Sequence, residues 1–199
     1  MKGEVQQGAE SHRTLAWIKT IPEDKATGDL KRAYEEVVRT RGKVSNVMRA
    51  QSLNPNALRC HLELYVTLAF GKSGLSRGER ETVATIVSAH NACEYCVIHH
   101  SEALRFYLKN ADQVDAFKQG RKPENLPQRL SALVDYALKL TREPGKVTEK
   151  DLEAMRGVGI GDSEILDLVL FTAYLNFVNR VAQGLGVEHD EQEARGYKY

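Results

Sequence analysis

The chain has 199 residues, close to the usual length of one domain, and a chain of this size buries roughly 70% of the surface it exposes when unfolded, so its core needs no staple. Lys and Arg number 28 against 27 Asp and Glu, a net charge of +1, which excludes the large single-sign field that draws a protein to nucleic acid or to an acidic membrane. The first twenty residues hold no unbroken apolar stretch of signal-peptide length and no run of about 18 apolar residues occurs anywhere, so the reading is a soluble, cytoplasmic chain without a membrane partner.

Apolar positions recur mostly at three and four, and no segment alternates convincingly, which predicts an all-α fold in one domain over 1–199 with a polar N-terminal arm at about 1–14. Trp17 and Ile18 form the first sizeable apolar pair. A first helix is expected over about Thr27 to Thr40, with Leu30, Ala33, Tyr34, Val37 and Val38 inward, and a short helical piece around Asn46 to Leu53. Asn54 and Pro55 read as N-cap and first-turn proline of a helix ending at Gly71, with Leu58, Leu62, Tyr65, Val66 and Ala69 facing the core. Cys60 on that helix reads as a plain buried cysteine. Ser76 and Glu79 form a capping box, and the helix they open carries Val83, Ile86, Val87 and His90 as a buried stripe until Asn91 ends it.

The next helix is expected from near Cys93 to about Asn110, followed by a shorter one around Asp112 to Gln119 and another from Pro127 to Thr141. Thr148 caps one more short helix. The last, from about Ser163 to Leu185, is apolar on nearly every side and reads as a central core helix or a subunit interface. Glu79 to Asn91 and Glu164 to Asn176 have the same spacing, a weak sign of an internal repeat in which Glu81, Cys93, Cys96 and His100 fall against Leu166, Val178, Val181 and Leu185.

Chemistry concentrates in one stretch. Of the three cysteines, Cys93 and Cys96 are spaced C-x-x-C, which in a reducing compartment reads as redox or metal chemistry. Cys93, Cys96 and His100 step by three and four along one helical face, and Cys93 sits at the helix start, where free amides and the dipole stabilise an anion, so at least one thiol is expected to have a depressed pKa. Folding the two helices back at His90-Asn91-Ala92 sets Glu81, ten residues before Asn91, level with His100, nine after it. The result is a line of Glu81, His100 and Cys96, with Cys93 a turn further as resolving thiol: orienter, base and nucleophile.

The pattern Glu81-x11-Cys93-x2-Cys96-x3-His100 resembles the active-site signature of the AhpD-like alkylhydroperoxidases, a branch of the carboxymuconolactone decarboxylase superfamily, and the chain as a whole is most similar to its peroxidase-related members. The resemblance implies a helical bundle built on the C-x-x-C hairpin, Cys96 as the more reactive thiol, Cys93 as its disulfide partner, and Glu81 with His100 as proton relay. It implies reduction of hydroperoxides with recharging by a dithiol such as a lipoyl group, no bound cofactor or metal, and a homo-oligomer, trimer or hexamer. The long segments outside the motif mean that substrate and partner do not carry over from AhpD itself.

Other readings stand beside this one. Two thiolates with His100 and a fourth ligand from His99, His90 or Glu81 satisfy tetrahedral zinc, although structural zinc usually takes two knuckles and one is present. A non-catalytic regulatory protein, or a lyase in which Glu81 and His100 do acid–base work, uses the same scaffold. His99 faces away from His100 and reads as a surface or interface residue, His90 as a satisfied core histidine, Tyr95 as shaping the pocket mouth and Tyr107 as core.

Overall fold

The structure is a computed structural model that describes residues 15–189 and 192–198; the N-terminal arm expected at about 1–14 lies outside the described residues. Among them there is no strand, as the periodicity requires. The helices are α1 (Gly28–Arg41), α2 (Asn46–Arg49), α3 (Pro55–Phe70), α4 (Arg77–His90), α5 (Glu94–Tyr107), α6 (Ala111–Lys118), α7 (Gln128–Arg142), α8 (Glu149–Gly157) and α9 (Asp162–Gly184). Their starts are set by the caps read from the sequence. The Asn54 side chain accepts from the Ala57 amide at 3.1 Å, Ser76 and Glu79 exchange both capping-box bonds, and Asp151 returns to the Thr148 amide at 2.7 Å.

α4 is the axis of the molecule. Every residue from Arg80 to Ser88 is buried, because α5, α6, α7 and α9 pack around it. Its sequence shows only a stripe, since Thr82 and Thr85 look like an outer face. Their hydroxyls are satisfied within the helix, on the Gly78 and Glu81 carbonyls at 2.8 Å each, so both can be buried without an outside partner. Burying Val83, Ile86 and Val87 contributes about 1.5–3 kcal/mol each. A smaller apolar cluster of Ile86, Leu104, Val114, Phe117 and Val134 joins α4 to α5, α6 and α7.

α9 runs beside α4 in the same direction. Arg129 of α7 bridges the two helix starts, reaching Glu79 and Glu164 at 2.7 Å each, and Asn91 meets Asn176 at 3.1 Å near the other end. The pairs Glu79/Glu164 and Asn91/Asn176 of the weak repeat are therefore level in space. α9, with 23 residues, is long and apolar enough to cross a membrane, yet half of its most apolar stretch is buried in protein. The structure assigns it to the core.

Several expectations need correction. Trp17 is 78% exposed and Ile18 is also exposed, because Ala16 takes the inner position while the Trp17 ring lies flat on Gly186, where any side chain would collide with it. Val38 points outward from α1, whereas Arg41 is buried one turn on. α5 stops at Tyr107 rather than Asn110, since Asn110 is already the N-cap of α6, its side chain accepting from the Gln113 amide at 3.1 Å. Cys60 is exposed; the buried residue on that face of α3 is His61.

Candidate active site

The α4–α5 hairpin is closed by a tight turn in which Ala92 takes a positive φ of 52° and the Cys93 amide donates to the Ser88 carbonyl at 3.0 Å. Asn91 ties this turn to α9, donating to Asn179 Oδ1 at 2.8 Å, while Asn179 donates to Ser88 Oγ at 3.2 Å. Cys93 is the N-cap of α5 rather than its first helical residue. Its position keeps the expected proximity to the first-turn amides.

Both thiols of the motif are free and buried, with Sγ atoms 2.7 Å apart. The hydrogen bond offered by Cys96 lowers the Cys93 pKa below its ordinary value, against the opposing effect of burial and with help from the Cys96 amide. Giving up that hydrogen bond, together with burial and the neighbouring Cys93 charge, raises the Cys96 thiol well above its ordinary value. The depressed thiol expected from the helix start is therefore Cys93.

Glu81 and His100 meet as the register predicts, with Nδ1 to Oε2 at 2.8 Å. Arg77 holds the other carboxylate oxygen at 2.6 Å. Burial alone would push the Glu81 carboxyl up, but the His100 hydrogen bond, the His100 and Arg77 charges and the nearby Arg41 outweigh it and hold the pKa below the usual value. Because Nδ1 donates to a carboxylate, a neutral His100 presents Nε2 as an open acceptor, the orientation a base requires.

Cys96, His100 and Glu81 share a cavity of about 80 Å³; Cys93 is not among its lining residues and lies behind Cys96. The space takes a few waters or a small molecule. Its walls also include Arg41, Tyr65, Tyr95, His99, Tyr174 and Tyr197. His99 is thus no surface residue: it lies against Tyr95, with ring centroids 4.4 Å apart, and bonds Glu193 in the segment after α9, whose Tyr197 closes over it. Tyr95 is a buried wall of the cavity. Tyr107 does not line it and packs against Phe106 instead. His90 is half-buried and its Nε2 bonds the Gly120 carbonyl at 2.9 Å.

For zinc the residues do not fit. Among the described residues no three His, Cys, Asp or Glu side chains cluster as metal ligands. Thiolates on tetrahedral zinc, at about 2.3 Å from the metal, stand about 3.7 Å apart, wider than the 2.7 Å found here.

Sequence reading missed Tyr174, His61, Asn179 and Arg41. All four come from outside the hairpin, and each reaches the site or its turn through contacts more than thirty residues apart. The available signal was polarity at positions that helical periodicity places inward, as with Asn179 on the otherwise apolar α9.

Fold and site define an AhpD-like helical protein with a dithiol centre. The carboxymuconolactone decarboxylase family model matches residues 60–133, from α3 into α7 and across the whole C-x-x-C hairpin. It is similar to the peroxidase-related protein from Silicibacter sp. TM1040 at 26% identity and a TM-score of 0.83, covering 94% of this chain and 98% of that one. It is similar also to an AhpD-core peroxidase-related protein from Ralstonia eutropha JMP134, at 28% identity and TM-score 0.82, covering 94% and 100%. The debrominase Bmp8 shares the fold at 14% identity, TM-score 0.72 and coverage of 92% and 99%. No curated protein matches the sequence.

Proposed function

We propose that this protein is a thiol peroxidase that reduces small hydroperoxides through Cys96 and Cys93. The observation that carries the reading is the pair of free sulfurs 2.7 Å apart, of which only Cys96 faces the cavity that Glu81 and His100 also line. In the first step the Cys96 proton passes to the Cys93 thiolate it already faces, and the Cys96 sulfur attacks the terminal peroxide oxygen. The O–O bond breaks, Cys96 becomes a sulfenic acid and an alcohol leaves. Cys93 then attacks that sulfur and water departs, which leaves a disulfide for an external dithiol, such as a lipoyl group, to reduce. His100, steered by Glu81, is the base of the second step, taking the Cys93 proton and returning it to the departing hydroxide.

The names of two similar peroxidase-related structures support this reading, while Bmp8 shows that the fold serves other chemistry. No metal or cofactor enters the cycle. We propose too that the chain is cytoplasmic and homo-oligomeric, a trimer or hexamer, with the outward apolar residues Leu166, Leu170 and Phe177 of α9 in the interface. Mass spectrometry of the reduced protein after one equivalent of peroxide should show loss of two hydrogens linking Cys93 to Cys96 and leave Cys60 unlinked. Stoichiometric zinc in the purified protein, or thiols indifferent to peroxide, would overturn the reading.

A further inference from the structure

A second chain of polar groups, which the thiol cycle leaves unused, reaches the cavity wall at Tyr174. His61 Nε2 of α3 lies 2.9 Å from the Tyr174 hydroxyl of α9, and both residues are buried. His61 Nδ1 lies 2.8 Å from the side-chain nitrogen of Gln51 and 3.0 Å from its oxygen. Gln51 cannot be turned over, because its nitrogen also donates to the Val47 carbonyl at 2.9 Å and a carbonyl only accepts. The second amide hydrogen faces Nδ1 at the shorter of the two contacts, which favours Nδ1 as the acceptor.

Burial holds the His61 pKa down to about 4, so at neutral pH the ring has one N–H. With Nδ1 accepting, that proton is on Nε2 and is donated to the Tyr174 oxygen. The hydrogen of the Tyr174 hydroxyl is then not spent on His61, and it belongs to a side chain that shares the cavity wall with Cys96. Two other cavity tyrosines are engaged differently. Tyr197 donates to Glu193 at 2.6 Å, and the Tyr95 oxygen receives the Val47 amide at 3.2 Å.

We propose that Tyr174 is the catalytic acid of peroxide cleavage and that His61 and Gln51 are its positioning residues, an assignment that rests on the thiol peroxidase reading above. When the Cys96 sulfur forms its bond to the terminal oxygen, the O–O bonding pair leaves on the other oxygen, which takes the Tyr174 proton and departs as alcohol. The thiolate is oxidised and the peroxide reduced, while the Tyr174 oxyanion, held by the His61 N–H, regains its proton from water. Burial keeps the Tyr174 hydroxyl protonated, its pKa well above the ordinary value, yet an expelled alkoxide or hydroxide is a stronger base still, the conjugate acid of hydroxide lying at about 15.7. The site then has its acid on α9 and its base on α5.

The test exploits the leaving group. The reduced full-length chain is mixed with tert-butyl hydroperoxide, which expels an alkoxide, or with peracetic acid, which expels acetate and needs no proton. Single-turnover formation of the Cys93–Cys96 disulfide is followed by quenching and mass spectrometry. Tyr174→Phe should slow the first reaction about 10²- to 10⁴-fold and the second less than about threefold. His61→Gln should slow the alkyl hydroperoxide alone, by less. Equal slowing of both oxidants would mark Tyr174 as structural and overturn the proposal, as would no slowing of either. A native chain that neither reagent oxidises refutes the peroxidase reading itself, whereas a native chain oxidised by both, with a Tyr174→Phe variant that does not discriminate, refutes only the acid.

Discussion

α4 and α9 share their first fourteen residues' scaffolding but do opposite work. Each has a glutamate at its third position that bonds back to the residue capping the helix, each glutamate is held by Arg129, and each has an asparagine twelve residues on, the two asparagines bonded to one another. Between those fixed points α4 carries Glu81, buried to 2%, where α9 carries Leu166, 56% exposed. After the asparagine, α4 turns sharply into Cys93 while α9 continues as helix through Val178, which lines the cavity. Shared scaffolding has thus been kept for packing, and the turn alone creates the thiol site. What α9 contributes, Tyr174 and Asn179, lies at positions where the hairpin has no counterpart role.

The largest effects should fall on the turn. Replacing Cys96 by Ser should abolish peroxide consumption, since it removes the one sulfur facing the cavity. Cys93→Ser should leave a single turnover that stalls as sulfenic acid or a mixed disulfide, visible by mass spectrometry. Because Cys93 has the lowered pKa and Cys96 the access, iodoacetamide rates against pH separate the two properties. If Cys93 is alkylated faster and also forms the sulfenic acid in the Cys96→Ser variant, the roles must be exchanged.

Next in size are the proton-relay residues, of which Glu81 has Leu166 as its counterpart on α9. His100→Phe removes the base and should slow turnover about 10²- to 10⁴-fold at pH 7. Glu81→Gln keeps the shape but weakens the imidazole it orients, and should cost less. Steady-state rates of the two variants, each with its double mutant, show whether the pair acts as a unit: non-additivity is the expected result. Simple addition of the two losses would separate them.

A third contrast concerns pH. The unfolded chain takes up a proton on His61 near pH 6.5, while the folded protein takes it up only near 4, so stability contributed by this neutral, buried ring is complete above pH 6.5 and is lost as pH falls toward 4. The loss amounts to about 3 kcal/mol. Urea midpoints measured between pH 7 and 4 should fall more steeply for the native chain than for His61→Gln, which lacks the titrating group. Parallel slopes would remove His61 as the cause.

These contrasts also explain what the sequence disclosed. Glu81, Cys93, Cys96 and His100 lie on two consecutive helices joined by three residues, so helical spacing and one turn suffice to bring them together. His61 and Tyr174 are 113 residues apart, and no local pattern brings α3 against α9. The helix starts were legible because caps are local chemistry. Exposure was less so, since it depends on neighbours. Trp17 looks like core until the Gly186 backbone is found beneath it, and His99 looks like surface until the segment containing Glu193 and Tyr197 folds over it.

The smallest effect tests the comparison at its plainest point. Leu166 occupies on α9 the place of Glu81 on α4, and Leu166→Glu would restore the aligned residue. Within one chain Leu166 projects outward near the start of the helix, where an added carboxylate interacts favourably with the helix dipole, so unfolding free energy should change by no more than about 0.5 kcal/mol. In an oligomer built on the α9 face, the same carboxylate is buried without a partner, and its desolvation should drive the subunits apart. Sedimentation velocity of the native and variant chains therefore reads the role of this face directly. An unchanged oligomer would move the interface elsewhere, while dissociation with an unaltered monomer fold would show that α9, having lost the chemistry of its counterpart, serves to join subunits.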